Sequence, residues 1–279
     1  MSKNDTFEPL LLGAVAYDPK VVTIWEGFQA WFAKRGLAFD VVLYTNYERQ
    51  VEAHLRGDIH VAWNSPLAWL ETLQAAPARG RRAEAIAMRD TDQDLTSLIL
   101  VRTDGPSTLA ELRGKKVGVG AGDSPQATLI PLADLADVPV DVVRHDVLVG
   151  KHGDHIGGER DAARALIAGT VDAACVLDGN HLAFTRDGTL PAGAVRVLHQ
   201  TGRYDHCNFT VLDDAPASIA TFRELLLGMS YEDPDVRTLL DLEGLKAWRP
   251  GRTSGYALLE RAVATSGYLE PWLARVRAR

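Results

Sequence analysis

Short apolar runs alternate with helix-patterned segments along nearly the whole chain, and this alternation restricts the fold more than any other feature. The strand-like runs are Leu10–Ala16, Phe39–Tyr44, Ile59–Trp63, Ala83–Met88, Leu95–Val101, Lys116–Gly120, Val140–His145, Val171–Val176, Val195–His199 and Cys207–Leu212. Strands separated in this way by helices predict an α/β fold with mostly parallel sheets. Between the first two runs, Val21, Ile24, Trp25, Phe28, Trp31 and Phe32 recur at helical spacing, and Gly36 supplies the stop. These aromatics are expected to be core, not a cofactor box. The segment Leu109–Gly120 reads as a short helix feeding a glycine-rich strand. After Leu212 helical patterns return at Ala217–Leu227, Pro234–Asp241 and Ser254–Ser266.

At 279 residues the chain exceeds one typical domain and suits two α/β lobes. Its net charge of -7 argues against a nucleic-acid partner, which requires a basic stripe. The run Arg79-Gly80-Arg81-Arg82 reads as a solvated loop. No stretch approaches the roughly 20 apolar residues that span a bilayer, so membrane insertion is not expected. The first residues show no basic segment leading into an apolar run and a small-residue cleavage site. A cytoplasmic location is therefore the expectation; a periplasmic or lipid-anchored one would need a signal segment. Cys175 and Cys207 are too far apart in pattern to suggest a disulfide framework, and Cys175 reads as a core thiol.

Three strand-like runs lead into the same kind of helix start: Tyr17-Asp18-Pro19, Asn64-Ser65-Pro66 and Asp123-Ser124-Pro125. Each puts a side-chain oxygen at the N-cap and proline at the first helical position. Such helix ends favour anions, and in open α/β sheets they line the ligand crevice. Gly118-Val119-Gly120 with Gly122 invites a dinucleotide reading, but the spacing and the missing acidic residue do not support it. The glycine-rich loop at 150–158 carries His152, Asp154 and His155, and the segment 204–209 carries His206 beside Cys207. Imidazole and thiolate suit zinc, so His152, His155 and His206 are weak metal candidates; the same groups can serve acid–base chemistry or bind a ligand. Strand alternation predicts that His206, Asn208 and Thr210 share a polar face while Cys207, Phe209 and Val211 turn into a core.

The stretch Glu52–Leu67, with its Gly57-Asp58 entry to a strand, resembles the phosphonate-binding proteins of ABC transporters. Ser97–Asp104, Thr108–Gly120, Gly158–Ala163 and Gly169–Ala173 carry the resemblance onward. It implies a type II periplasmic-binding-protein fold, with residues 1–98 and 207–279 in a first lobe and 99–206 in a second. Two hinge crossings, at 95–101 and 204–212, would let the lobes close on a solute. Where the family has a hydroxyl-rich turn, this chain has Ser124-Pro125-Gln126-Ala127, so only Ser124 carries over, with Gln126 as a different hydrogen bonder. Where the family has an anion-binding histidine, this chain has Arg160, whose planar fork suits a carboxylate or phosphate.

The expected ligand contacts are Tyr17, Asn64, Ser65, Thr96, Ser124, Gln126, Arg160, Asp178 and His206. The expected function is binding of a small oxyanion-bearing metabolite: a phosphonate, phosphate, sulfonate or carboxylate. The alternative is a cytoplasmic lyase or decarboxylase-like enzyme on the same scaffold, with His206 as acid and base. No cofactor is expected. A permease or a sensor partner is compatible with either reading, and no residue pattern marks a surface for it.

Overall fold

The computed structural model describes residues 8–146 and 155–277. Within it the chain divides into two compact units. The first takes the residues up to Gln93, then His206–Ser254, then those from Glu270; the second takes Asp94–Asp205 and Gly255–Leu269.

The first unit opens with β1 (Leu10–Val15), α1 (Lys20–Lys34), β2 (Phe39–Tyr44), α2 (Tyr47–Arg56), β3 (Val61–Asn64), α3 (Pro66–Ala75) and β4 (Ala83–Arg89). The second holds β5 (Ser97–Arg102), β6 (Lys116–Val119), α4 (Ile130–Asp134), β7 (Asp141–Arg144), α5 (His155–Ile167), β8 (Ala173–Leu177), α6 (Asp178–Arg186) and β9 (Val195–Gln200). β10 (Asn208–Leu212), α7 (Ser218–Leu227), α8 (Pro234–Glu243) and β11 (Trp248–Pro250) return to the first unit. α9 (Ala257–Ser266) belongs to the second and α10 (Glu270–Arg277) to the first.

The first unit has a six-stranded sheet in the order β11-β4-β10-β3-β1-β2, and the second a five-stranded sheet in the order β7-β6-β8-β5-β9. β1 pairs parallel with β2 and β3, and β6 parallel with β7 and β8. β10 runs antiparallel to both its neighbours, as does β5, and β11 runs antiparallel to β4. The sheets are therefore mixed where mostly parallel ones were expected. In each, the strand formed just after the chain changes units runs against its neighbours.

The boundaries expected at 98/99 and 206/207 fall at 93/94 and 205/206. Leu95 already bridges Tyr204, and Ser97 pairs with Leu177 inside the second sheet. The chain makes four passes between units, not two, because α9 packs on α4 in the second unit before the chain returns.

Amphipathic patterning places the cores. Val21, Ile24, Trp25, Phe28, Trp31 and Phe32 form the buried face of α1, as their spacing predicts. Gly36, at φ +80°, takes the left-handed turn that ends the helix, a conformation glycine adopts without a Cβ clash. Phe209 is a hub of this core, its ring centroid 4.7 Å from Trp63, 5.1 Å from Trp248 and 5.4 Å from Phe222. In the second unit strand alternation splits the sheet faces. Leu98, Leu100, Ala174 and Val176 pack with α5 and α6, while Ile99, Val101, Ala173 and Cys175 pack with Val117 and Leu135. Cys175 is buried, and burial pushes its thiol up to about 12.

One buried group in α2 is expected to make the first unit acid-sensitive. His54 is 1% exposed, and neither ring nitrogen meets a well-aligned hydrogen-bond partner. Burial lowers its pKa from 6.5 to about 4; the charges of Arg81 and His60 add to this, and the His60 backbone opposes it. Between those values the unfolded chain takes up a proton that the folded one refuses, so stability falls as pH drops. The loss expected between pH 7 and pH 4 is about 3 kcal/mol. Urea denaturation at pH 7, 5.5 and 4 should show it in the parent and not in His54→Leu. Equal acid slopes in the two proteins would assign the sensitivity to other groups.

Candidate functional site

Two of the three helix starts form as read, at Ser65 and Ser124; at the third, Pro19 and not Asp18 takes the N-cap of α1, and no side chain caps it. Asp18 Oδ1 accepts from the Lys20 amide at 2.8 Å, although regular α1 begins one residue later than expected. Ser65 Oγ accepts from Ala68 at 3.3 Å and Ser124 Oγ from Ala127 at 3.1 Å. Both serine hydroxyls thus close their own helical turns. Pro66 and Pro125 have no N–H, so the amides of Leu67 and Gln126 are what these first turns present.

Several expected ligand contacts are tied into the fold by hydrogen bonds of their own. Asn64 is fully buried: its Oδ1 accepts from Gln50 at 2.8 Å, and its Nδ2 donates to Thr210 at 2.8 Å. Thr210 in turn donates to Asn208 at 2.7 Å. This chain of hydrogen bonds joins β3 to β10 through the sheet, because a buried amide must find partners. Arg160, expected as a free anion-binding fork, donates from Nη1 to Asp187 at 2.5 Å and to Thr189 at 2.7 Å, and lies over the Phe184 ring. Those contacts occupy it at the end of α6. His155 Nε2 lies 3.1 Å from Asp123 Oδ1, which fixes it beside the Ser124 turn. His152 and Asp154 lie outside the described residues.

The second unit gathers a buried polar cluster around Glu159, a residue the sequence reading passed over. Glu159 is fully buried on α5. Its Oε2 accepts from the Leu177 amide and Asn180 Nδ2, each at 2.8 Å, and its Oε1 accepts from Gln126 Nε2 at 3.3 Å. Burial raises its pKa, against the pull of those donors. Gln126 Oε1 is buried without a partner. Ser97 Oγ donates to the Gln126 carbonyl at 2.5 Å and lies 2.7 Å from the Tyr204 hydroxyl, which burial pushes up. Thr96 donates to Asp178 at 2.7 Å and accepts from Gln200 at 2.9 Å. Of the expected contacts in this unit, Thr96 meets Asp178, and Gln126 follows Ser124 toward Glu159, while Arg160 faces elsewhere.

The first unit has its own charged cluster where β4 ends and β10 begins. Arg89 donates to Asp92 through Nε at 2.6 Å and Nη2 at 2.8 Å, and through Nη1 to the Glu243 carbonyl at 2.8 Å and carboxylate at 3.2 Å. Burial works against the Asp92 carboxylate, but Arg89 outweighs it and holds the pKa down at about 2. Burial raises Glu243 despite the same guanidinium. Tyr17 belongs to this neighbourhood: the residue is 47% exposed, yet burial, then Glu243 and Cys207, push its hydroxyl up to about 12. Tyr47, at the start of α2, is raised well above the ordinary value by burial and by Cys207.

His206 and Cys207 were expected on opposite faces, and the structure overturns this. His206 Nδ1 lies 3.1 Å from Cys207 Sγ and 3.5 Å from Asp92 Oδ1. The pleat does not govern them because β10 starts only at Asn208; the His206 amide donates instead to the Asp92 carbonyl at 2.8 Å. Cys207 still reaches the aromatic core with Phe209 and Val211, as predicted, and burial pushes its thiol well up. The contacts of His206 to the thiol and to the carboxylate both converge on Nδ1.

The family described as "ABC transporter, phosphonate, periplasmic substrate-binding protein" matches residues 14–256. No curated protein sequence matches the chain. In structure it is similar to PhnD1 from Prochlorococcus marinus (MIT 9301) in complex with methylphosphonate, with 15% identity, 92% of this chain and 98% of that one covered, and a TM-score of 0.66. A binding protein component of an ABC phosphonate transporter from Pseudomonas aeruginosa gives 14% identity, 98% coverage of both chains and a TM-score of 0.58. The periplasmic aliphatic sulphonate binding protein SsuA from Escherichia coli gives 18% identity, 94% and 87% coverage and a TM-score of 0.55.

Proposed function

Because the chain belongs to the phosphonate family of ABC-transporter periplasmic substrate-binding proteins and has their type II two-sheet α/β fold, we propose that it captures a small oxyanion-bearing solute and presents it to a membrane permease. The observation that carries this reading is the extent of the family match, which takes in most of both units. The solute class is a phosphonate, phosphate, sulfonate or carboxylate. PhnD1 holds methylphosphonate and SsuA binds aliphatic sulphonates, and the helix starts at Ser65 and Ser124 suit the same oxyanions. The family's periplasmic description gives the expected cytoplasmic location no support. No helix among the described residues is long and apolar enough to cross a membrane.

Solute capture by closure needs a hinge, and we place it where the chain changes units, at 93/94 and 205/206. Leu95 and Tyr204 exchange backbone hydrogen bonds at 2.9 Å in each direction. Asp94 adopts φ +58°, a conformation aspartate tolerates better than most residues, and its amide donates to Asp205 Oδ1 at 3.1 Å. The Asp205 amide donates to the Gly255 carbonyl at 2.9 Å. A Cβ on Gly255 would come within 2.0 Å of the Asp205 carboxyl carbon, so glycine is required for this close approach. Asp205 thus joins three of the four segments at which the chain changes units, Asp94 through its carboxylate and Gly255 through its backbone amide.

Thermal denaturation and calorimetry with methylphosphonate, inorganic phosphate, an alkylsulfonate and a small carboxylate test the proposal. One of them at 100 times its Kd should stabilise the protein by about 2.7 kcal/mol with one-to-one stoichiometry. Stabilisation by a cation or neutral solute alone, with all four oxyanions inert, would overturn the solute class.

A further inference from the structure

We propose that Asp92, His206 and Cys207 form a three-ligand site in the first unit for a borderline divalent cation, zinc above all, with a fourth coordination position open to water or an anionic oxygen. A thiolate, an imidazole nitrogen and a carboxylate oxygen are the donors zinc prefers. Nδ1 of His206 lies 3.1 Å from Sγ of Cys207 and 3.5 Å from Oδ1 of Asp92, and the three donor atoms all fall within 4.8 Å of one another. Tetrahedral zinc, with bonds of about 2.3 Å to sulfur and about 2.0–2.1 Å to nitrogen and oxygen, separates such donors by roughly 3.3–3.6 Å. The Nδ1–Sγ and Nδ1–Oδ1 edges of the triangle therefore need shifts of only a few tenths of an ångström.

The surroundings hold the donors in place. Arg89 grips both oxygens of Asp92 and is anchored on its far side by Glu243, so the carboxylate is aimed by a hydrogen-bonded partner while each oxygen keeps a second lone pair. The hydrogen bond from the His206 amide to the Asp92 carbonyl ties the two ligand-bearing segments together. Cys207 is nearly buried at the edge of the aromatic core, whereas the His206 side chain is 21% exposed and gives the ion an entry from solvent.

A plain hydrogen-bonded arrangement accounts for the triangle less well. One proton on Nδ1 serves either the sulfur or the carboxylate with good geometry, whereas one cation bonds all three. Loading would release the Cys207 proton to solvent, form the metal–sulfur bond and leave the imidazole neutral, with no redox change. The site uses first-unit residues alone and stands apart from the solute reading above.

The test uses untagged, chelator-treated full-length protein with cobalt(II) and zinc(II) as probes. Cobalt should bind at one equivalent and give the near-ultraviolet charge-transfer band of a cobalt thiolate. Zinc affinity should be measured by competition with a chromophoric chelator. Cys207→Ser should abolish the cobalt band, and Cys207→Ser and His206→Ala should each weaken zinc by about 100-fold or more. Cys175→Ser should change neither. Circular dichroism and urea midpoints of the metal-free variants establish that they fold, with Cys207→Ala replacing the serine variant if that one does not. Absence of the band in the parent, or zinc affinity within threefold of the parent in both His206→Ala and the Cys207 variant, would overturn the site.

Discussion

Arg89→Met is expected to destabilise the first unit by about 3–5 kcal/mol. The loss is electrostatic, because methionine keeps much of the volume and can still lie against Trp63, whose ring faces the guanidinium at 5.3 Å. What disappears is the guanidinium between two carboxylates whose side chains are 1% and 5% exposed, Asp92 and Glu243. Breaking a buried pair from one side leaves uncompensated charge, which is far more harmful than removing every partner together. The triple change Arg89→Met, Asp92→Asn, Glu243→Gln should therefore recover much of the loss. All six tryptophans, Trp25, Trp31, Trp63, Trp69, Trp248 and Trp272, belong to the first unit, so tryptophan fluorescence in urea reads this unit selectively. A loss below about 1 kcal/mol would mean the pairs behave like solvated surface bridges.

The strands were legible because apolar runs and turn residues report burial directly. The helical period in α1 identified six core side chains for the same reason. β11 was not legible: it is short, and Pro250 argues against a strand, yet as an edge it needs no donor on its open side. The antiparallel insertion of β10 and β5 is a matter of long-range pairing, on which local periodicity is silent.

The polar residues were harder to place, for two distinct reasons. Ser65, Ser124 and Asn64 were found correctly at strand-to-helix turns, but what their oxygens bond depends on neighbours far along the chain or on the geometry of the first turn. At His206 and Cys207 the error was of register. The pleat was extended two residues beyond the ladder, and the Asp92 carbonyl that captures the His206 amide is distant in sequence. At α5 a signal was available. Glu159, Ala162, Ala163 and Leu166 repeat at helical spacing, so Glu159 lies on the apolar stripe and Arg160 beside it does not. A carboxylate on such a stripe must have buried donors, which is a stronger indication of a built site than a neighbouring arginine near the surface.

Glu159→Ala should accordingly destabilise the second unit by about 4 kcal/mol. Three donors, the Leu177 amide, Asn180 Nδ2 and Gln126 Nε2, lose their acceptor at once, at roughly 1–3 kcal/mol each and with incomplete additivity. Glu159→Gln should be mild. Its amide oxygen can take the place of Oε2 beneath Leu177 and Asn180, while its NH2 faces Gln126. Turning the Gln126 amide over then presents that residue's unpartnered oxygen to the new donor. The pH dependence separates charge from shape. Because burial raises the Glu159 pKa, its contribution is fullest below about 4.5 and declines as pH rises through the folded value. Glutamine has no such penalty, so the stability of Glu159→Gln relative to the parent should improve from pH 4 to pH 7. The second unit has no tryptophan, so far-ultraviolet circular dichroism or hydrogen exchange at the Leu177 amide is the measurement. A Glu159→Ala protein that loses less than about 1 kcal/mol would show that water, not the carboxylate, satisfies these donors. Should Glu159→Gln match the alanine variant, the negative charge itself would be what organises the cluster.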